Sequence, residues 1–464
     1  MKNERTELMD DKFKEECGVF GIYSRDGHNT ARTTYYALYA LQHRGQEGAG
    51  IAVCENGKIS YYKDMGLVSE VFNDTILDTL KGNSAVGHVR YSTVGAGIKE
   101  NVQPLVIKYI KGQMALVHNG NLLNAQKLKE DLEKKGTIFQ TTSDSEVIAN
   151  LISIHSIEYG DIIDAILKVM TEIKGAYSLI ILTGEKLIGI RDPFGIRPLC
   201  LGKIENSYVL ASESCALDAV NAEFVRDINP GEIIIIDDSG IQSIQTKPAE
   251  KTGLCIFEYV YFARPDSIID GASVYQARIE AGKQLAVEHP VQADLVIGAP
   301  DSGLTAALGF SMQSGIPYGQ GLLKNRYIGR TFIQPAQQQR EIAVTIKFNA
   351  IKRVVDGKRI VMVDDSIVRG TTTRRIVQML KDAGAREVHM RVSSPPVKYP
   401  CCLGIDTPSK KQLVASHHSP EEIREMIGAD SLEYLSLEGL LKTPVGVKCD
   451  LCTGCFNGKY PVWF

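Results

Sequence analysis

The sequence predicts a chain in two parts, an α+β part followed by an α/β part built on a parallel sheet. Two segments share one strand–loop–helix scheme, ADLVIGAPDSGLTAALGF (293–310) and IVMVDDSIVRGTTT (360–373). In each, a short apolar run of the kind buried on both faces of a parallel sheet ends in a polar, glycine-containing turn that opens a helix. Earlier, from Ala176 to about Thr246, apolar runs alternate with turns (AYSLIILTG, KLIGIRD, PLCLG, SYVLAS, EIIIID), as short sheet strands do. The polar passage QTKPAEKTG (245–253) separates the two regimes, so the expected parts are 17–246 and 254–464, preceded by a leading segment 1–16.

Composition narrows the class. A chain of 464 residues supports two or three domains, and 44% hydrophobic with 23% charged residues is the balance of an ordinary soluble protein. A net charge of −3 gives no basic surface for nucleic acid, and no apolar run approaches the ~18 residues of a membrane span. The leading MKNERTELMDDKFKEE is charged throughout and lacks the apolar core of a secretory signal. Of the ten cysteines, Cys401, Cys402, Cys449, Cys452 and Cys455 fall near the end, which points to metal binding or catalysis in a reducing cytoplasm.

In the second scheme Asp364 and Asp365 stand at the carboxyl end of the strand, where open α/β sheets place ligands. Ser366, Ile367, Val368, Arg369, Gly370, Thr371 and Thr372 then lead into a helix, with hydroxyls beside free N–H groups and a glycine that permits close approach. That is a phosphate cradle. The acidic pair repels a bare phosphate, so the fitting ligand carries a phosphate at one end and vicinal hydroxyls or a cation at the other, as a sugar phosphate does. A helix-capping role for Asp364 and Asp365 is the plainer alternative.

VMVDDSIVRGTTT resembles the phosphoribosyl pyrophosphate (PRPP) motif of the type I phosphoribosyltransferases. The resemblance implies that Asp364 and Asp365 hold the ribose hydroxyls or the metal and that 366–372 hold the 5′-phosphate. It also implies that the Asp301–Gly303 loop holds the pyrophosphate, with the Ser302 hydroxyl near one Mg²⁺ per subunit. KNRYIGRTFIQPAQQQR (324–340) is similar to the flexible catalytic loop of that family, in which Lys324, Arg326, Tyr327 and Arg330 would clamp a departing pyrophosphate. A solvated basic loop is the alternative.

Cys17 opens CGVFGIYS, and removal of residues 1–16 would give it a free α-amine of pKa near 8 as its own base. A buried small hydrophobe is the ordinary reading of one such cysteine. Its company is specific, however: LQHRGQEGAGIAV (41–53), GHVRYSTVG (87–95), HNGNL (118–122) and TTSDSE (141–146) follow in an order that resembles the N-terminal-nucleophile glutamine amidotransferases, whose fold is an αββα sandwich. On that resemblance 1–16 is a propeptide and Cys17 the nucleophile. Asn119 and the Gly120 N–H would bind the oxyanion, Arg90 the α-carboxylate of glutamine and Asp144 its α-ammonium, with Arg44 and Gly45, in the segment lying against the nucleophile, completing the glutamine site. His88 and His118 are read as structural, and RDPFGIRPL (191–199) is assigned no chemistry.

The tail VKCDLCTGCFNGKYP (447–461) carries C-x-x-C-x-x-C, which points to a metal. Spacing does not separate zinc from [4Fe–4S]. A [4Fe–4S]-bearing branch of the resembled family implies Cys255, Cys401, Cys452 and Cys455 as ligands, although Cys402 adjoins the second of these and Cys449 adds a thiol to the tail.

Together the resemblances imply an enzyme that hydrolyses glutamine and passes the ammonia to C1 of PRPP, giving 5-phosphoribosylamine for purine synthesis. They further imply a homotetramer inhibited by purine nucleotides. Two alternatives stand beside this: another glutamine amidotransferase, such as a glucosamine-phosphate synthase, would not need the PRPP motif, and a regulatory PRPP-binding protein would not need Cys17, Arg90, Asn119 and Asp144.

Overall fold

The strand Gly18–Tyr23 shows how the first part is layered. Its side chains alternate between two faces. Val19 and Tyr23 join Val86, Ala115, Val117, Ile180 and Leu182 in a core between two sheets, while Phe20 and Ile22 turn the other way, onto Ala31, Ala37 and Leu38 of the helix Thr30–Ala40. The structure, a computed structural model, describes residues 17–91, 98–325, 348–405, 407 and 409–462. The expected leading segment, together with Arg326, Tyr327 and Arg330 of the basic loop, lies outside the described residues.

Among the described residues, the inner layers are antiparallel sheets of seven and six strands. On the outer face of the second sheet, Leu116, Leu179 and Ile181 pack under Ile148 and Ile152 of the helix Asp144–Tyr159 and under Ile166 and Val169 of the helix Ile162–Glu172. This is the expected αββα sandwich. The sheets approach closely at Gly21, where a Cβ would lie 2.9 Å from Ile180 Cγ2.

The second part is a four-stranded parallel sheet in the order Leu295–Gly298, Arg359–Asp364, Glu387–Val392, Ser431–Tyr434. The apolar run that predicted a strand covered on both faces is its second strand. Val361 and Val363 face one core, and Ile360 and Met362 the other, against Ile376, Val377 and Leu380 of the helix Thr371–Asp382.

The passage between the parts is not a loose tether. Ala249 N–H donates to Pro193 O at 2.9 Å, Gly253 N–H to Phe194 O at 2.8 Å, and one apolar cluster joins Ala176 and Ile196 to Phe257, Phe310 and Val363. The tail returns to this junction, where Leu451–Cys452 pairs in parallel with Leu254–Cys255. No helix among the described residues is long and apolar enough to cross a membrane.

Helices Val274–Glu288 and Gly303–Ser314 cross where neither has a side chain: a Cβ on Gly282 would meet Ala306 O at 1.9 Å, and one on Gly309 would meet Ile279 O at 2.1 Å. These contacts are with backbone, which cannot step aside as a side chain does. Gly309→Ala is therefore expected to destabilise the chain by about 1–3 kcal/mol, read as a lower thermal midpoint; an unchanged midpoint would mean that the helices separate freely.

Candidate active site

Cys17 stands directly before the Gly18–Tyr23 strand, beside the strand Ser84–Arg90, with Gly18 opposite Val89. Its Sγ–H donates to Tyr91 O at 3.4 Å, and the Tyr91 N–H points back to Sγ at 3.5 Å. Burial pushes the thiol up to about 11. The Tyr91 hydrogen bond and the Arg90 charge oppose that rise, while Asp144 and Glu47 add to it. The thiol is therefore protonated at neutral pH and needs a base to attack.

Arg90 is buried at the end of its strand, with Nη1 3.5 Å from Ile98 O. Two residues earlier, His88 Nε2 lies 3.1 Å from His118 O, so the first sheet is tied to the strand Gly112–Leu122 of the second. Burial presses His88 down to about 3, leaving it neutral. His118 is 3.6 Å from Asp144 Oδ1, and Asp144 Oδ2 accepts the Leu122 N–H at 2.9 Å. Burial alone would raise Asp144, but His118 and the N–H groups of Leu122 and Ser145 hold it below the usual carboxylate range. Both histidines read as structural are thus built into the packing around Asn119 and Asp144.

Asn119 follows His118 and is 1% exposed, and its Nδ2 has no hydrogen-bond partner. A buried donor left so costs roughly 1–3 kcal/mol, which a ligand oxygen would recover. Gly120 has φ +151, and a Cβ there would lie 2.0 Å from Ala176 O, so no other residue fits this step of the strand.

Arg44 lies beside Cys17. Its guanidinium is fully buried, donating to Glu213 Oε1 at 2.5 Å and to Glu258 Oε1 at 2.8 Å, and its Nε donates to the Cys17 carbonyl at 3.2 Å. These protein partners enclose the side chain beside Cys17. Gly45 is pressed on Val89 and Arg90, where a Cβ would meet Val89 C at 2.5 Å.

In the second part Asp364 ends the strand, and its Oδ1 accepts the Asp365 N–H at 2.9 Å. Ser302 Oγ donates to Asp365 Oδ1 at 2.5 Å, Ser366 Oγ to Asp365 Oδ2 at 2.8 Å, and Ser394 Oγ to Asp365 O at 2.7 Å. The two strand–loop–helix units therefore meet at Asp365, and Gly303 allows it: a Cβ there would lie 2.4 Å from Val363 O. Ser394 was not singled out in the sequence, where nothing distinguishes it from a surface serine.

Gly370, at φ +81, opens the helix Thr371–Asp382. Ile367 and Val368 point into the two cores, and Val368 O accepts the Val414 N–H at 2.9 Å, so neither side chain faces a ligand in the loop. Arg369 Nη2 lies 3.4 Å from Gln412 Oε1. A small cavity beside Ser302 is lined by Pro300, Asp301, Gln320 and Lys324, and Lys324 Nζ is 2.6 Å from Asp301 Oδ2.

Cys255 and Cys452 are opposite one another in their parallel pair, and Cys455 follows in the next turn. Cys455 O accepts the N–H groups of Lys398 and Tyr399 at 2.9 and 3.0 Å, which draws in the segment bearing Cys401. Burial pushes the Cys401 thiol up to about 12 and raises Cys452 and Cys455 as well. Cys449 borders the buried Arg191–Asp270 ion pair instead, where burial and then Asp270 raise its thiol to about 12. Four thiolates on one zinc, with bonds of about 2.3 Å, lie within ~4 Å of one another. Among the described residues, the one group of three candidate ligands with atoms within 4.8 Å is the largely exposed Asp26, His28 and Glu205, not these cysteines.

Residues 88–219 match the model of a glutamine amidotransferase domain. The amidophosphoribosyltransferase of Archaeoglobus fulgidus is 53% identical over 96% of this chain and 98% of its own length, and that of Bacillus subtilis 52% over 96% and 94%. The chain belongs to the amidophosphoribosyltransferase family. Two solved structures are similar in fold as well. One, described as the allosteric regulatory enzyme of purine biosynthesis, has a TM-score of 0.90 at 51% identity over 96% of both chains. The other, the glutamine PRPP amidotransferase of B. subtilis complexed with ADP and GMP, has a TM-score of 0.89 at 50% identity over 96% of this chain and 98% of that one. The chain is accordingly an enzyme of the pentosyltransferase type, with a glutaminase domain of the αββα class joined to a phosphoribosyltransferase domain.

The neutral Cys17 thiol makes a pH test direct. In the chain that retains residues 1–16, carboxamidomethylation at Cys17, followed by peptide mass spectrometry, is expected to speed up about tenfold per pH unit from about pH 7 to 10, since the thiolate forms only toward the raised pKa. A plateau near pH 8 would contradict the burial account.

Proposed function

We propose that this chain hydrolyses glutamine at Cys17 and passes the ammonia to C1 of PRPP, releasing pyrophosphate, glutamate and 5-phosphoribosylamine. The observation that carries the reading is the unpartnered Asn119 amide beside Gly120, on the strand that His88 ties to the Cys17 and Arg90 side of the sandwich. Residues 17–246 are the glutaminase domain and 254–464 the phosphoribosyltransferase domain.

Loss of the 1–16 propeptide frees the Cys17 α-amine, which takes the thiol proton. Arg90 pairs with the glutamine α-carboxylate and Asp144 with its α-ammonium. As Sγ bonds to the amide carbon, the developing oxyanion accepts from Asn119 Nδ2 and the Gly120 N–H. Collapse gives the γ-glutamyl thioester and ammonia, and water then releases glutamate.

At the second site Asp364 and Asp365 orient the ribose, and the backbone and hydroxyls of 366–372 hold the 5′-phosphate. Lys324, with Arg326, Tyr327 and Arg330, clamps the pyrophosphate and excludes water. With both ends anchored, C1 is held in line for ammonia. One Mg²⁺ per subunit fits the half-buried Ser302 hydroxyl and the buried carboxylates of Asp364 and Asp365 and would neutralise charge on the leaving pyrophosphate. Cys255, Cys401, Cys452 and Cys455 suit a [4Fe–4S] cluster, because their thiols gather at one junction without zinc-like spacing; there it would brace the fold.

The ADP and GMP bound by the B. subtilis neighbour support purine nucleotides as ligands, and hence as inhibitors, of this chain; the homotetramer rests on the family resemblance alone. Ten free cysteines support a reducing, cytoplasmic setting.

Pyrophosphate release from PRPP and Mg²⁺ tests the reading with glutamine or ammonium as nitrogen source. Both sources are expected to work, Cys17→Ala to keep ammonium alone, and Asn119→Ala to lose roughly 10²–10³-fold in kcat with glutamine only. PRPP binding without pyrophosphate release from either source would favour a ligand-sensing protein. For the cluster, anaerobically purified chain should yield about four iron and four sulfide per subunit; zinc in their place would exclude it.

A further inference from the structure

The mechanism leaves one cluster of buried charges without a task. Arg44, Glu213 and Glu258 are all fully buried, and the carboxylates come from different parts of the chain. Glu213 precedes the short helix Ser214–Ala219 of the sandwich, whereas Glu258 opens the π-helical turn Glu258–Phe262 at the start of the second part. Glu213 also accepts from His43 Nε2 at 2.7 Å, Ser267 Oγ at 2.7 Å and the Arg264 N–H at 2.9 Å. Arg278 braces the π turn, donating through Nε to Tyr259 O and through Nη2 to Ala263 O, each at 2.8 Å.

As a device for stability this arrangement is a poor choice, since each buried ion carries a desolvation cost that well-packed apolar side chains avoid. What it supplies is geometry. The planar guanidinium of Arg44 is held by a bidentate contact with Glu258 (Nη2 to Oε1 at 2.8 Å, Nη1 to Oε2 at 3.0 Å) and a contact with Glu213, and the remaining Nε faces the Cys17 carbonyl. A π turn interrupts regular helix and is found most often at functional sites; here it aims Glu258 at Arg44.

We propose that Glu258 is a positioning residue for the nucleophile, acting through Arg44 to fix the Cys17 carbonyl and so the direction of its thiol and α-amine. The inference rests on the two-site reading above. It assigns to the second part of the chain a side chain that glutamine chemistry in the first part requires, although Glu258 touches neither Cys17 nor glutamine.

The test is Glu258→Gln in the full chain, with the state of its N-terminus checked by mass. With glutamine, kcat is expected to fall roughly 10–100-fold while the glutamine KM and the ammonium-dependent rate stay within about twofold of the parent. Alkylation of Cys17 by a diazoketone analogue of glutamine should slow by the same factor, and Glu258→Asp, which restores the charge at a shorter reach, should recover part of it. If Glu258→Gln does not fold, Arg44→Lys is read in the same way, because it keeps the buried charge but loses the planar fork. An unchanged glutamine rate, or equal losses with both nitrogen sources, would overturn the inference. A parent chain that uses ammonium but never glutamine would remove the reading beneath it.

Discussion

A guanidinium sealed from water needs acceptors for its N–H groups, and Arg44 draws a carboxylate from each part of the chain, Glu213 and Glu258. That requirement sets the packing at the junction. It brings the turn after the connecting passage under the sandwich and leaves the Arg44 Nε facing Cys17. The passage 245–253 reads as a linker, but the parts are joined by buried charge and a common apolar cluster, so they pack as one body at this point.

The two sites solve opposite electrostatic problems. At Cys17, burial keeps a thiol neutral and a nearby histidine uncharged, so that the thiol ionises only with the help of a base. At Asp365, burial of a carboxylate is tolerated because three serine hydroxyls, from two loops and a neighbouring strand end, donate to its oxygens and its backbone.

The cysteine-bearing tail is part of the same construction. Gly404, three residues after Cys401, sits where a Cβ would lie 3.3 Å from the Gly120 carbonyl carbon, and Asn121 Nδ2 donates to Cys402 O at 3.0 Å. Arg197, from a segment to which the sequence assigned no chemistry, donates to Leu403 O. The thiol segment thus lies directly behind the strand that carries Asn119 and Gly120.

Local chemistry was legible in the residues themselves. The apolar run before Asp364, the glycine at 370 and the order of the phrases around Cys17, Arg90, Asn119 and Asp144 are determined by the backbone each site needs, which neighbours in sequence already specify. The strand, the helix start and the αββα layering follow from them. The sequence did not disclose that Arg44 is met by Glu213 and Glu258, that His88 ties the two sheets at His118, that Cys449 belongs with Arg191 and Asp270, or that Ser394 supports Asp365. Those roles depend on partners 29 to more than 200 residues apart in the chain, and only tertiary packing decides which buried charge meets which.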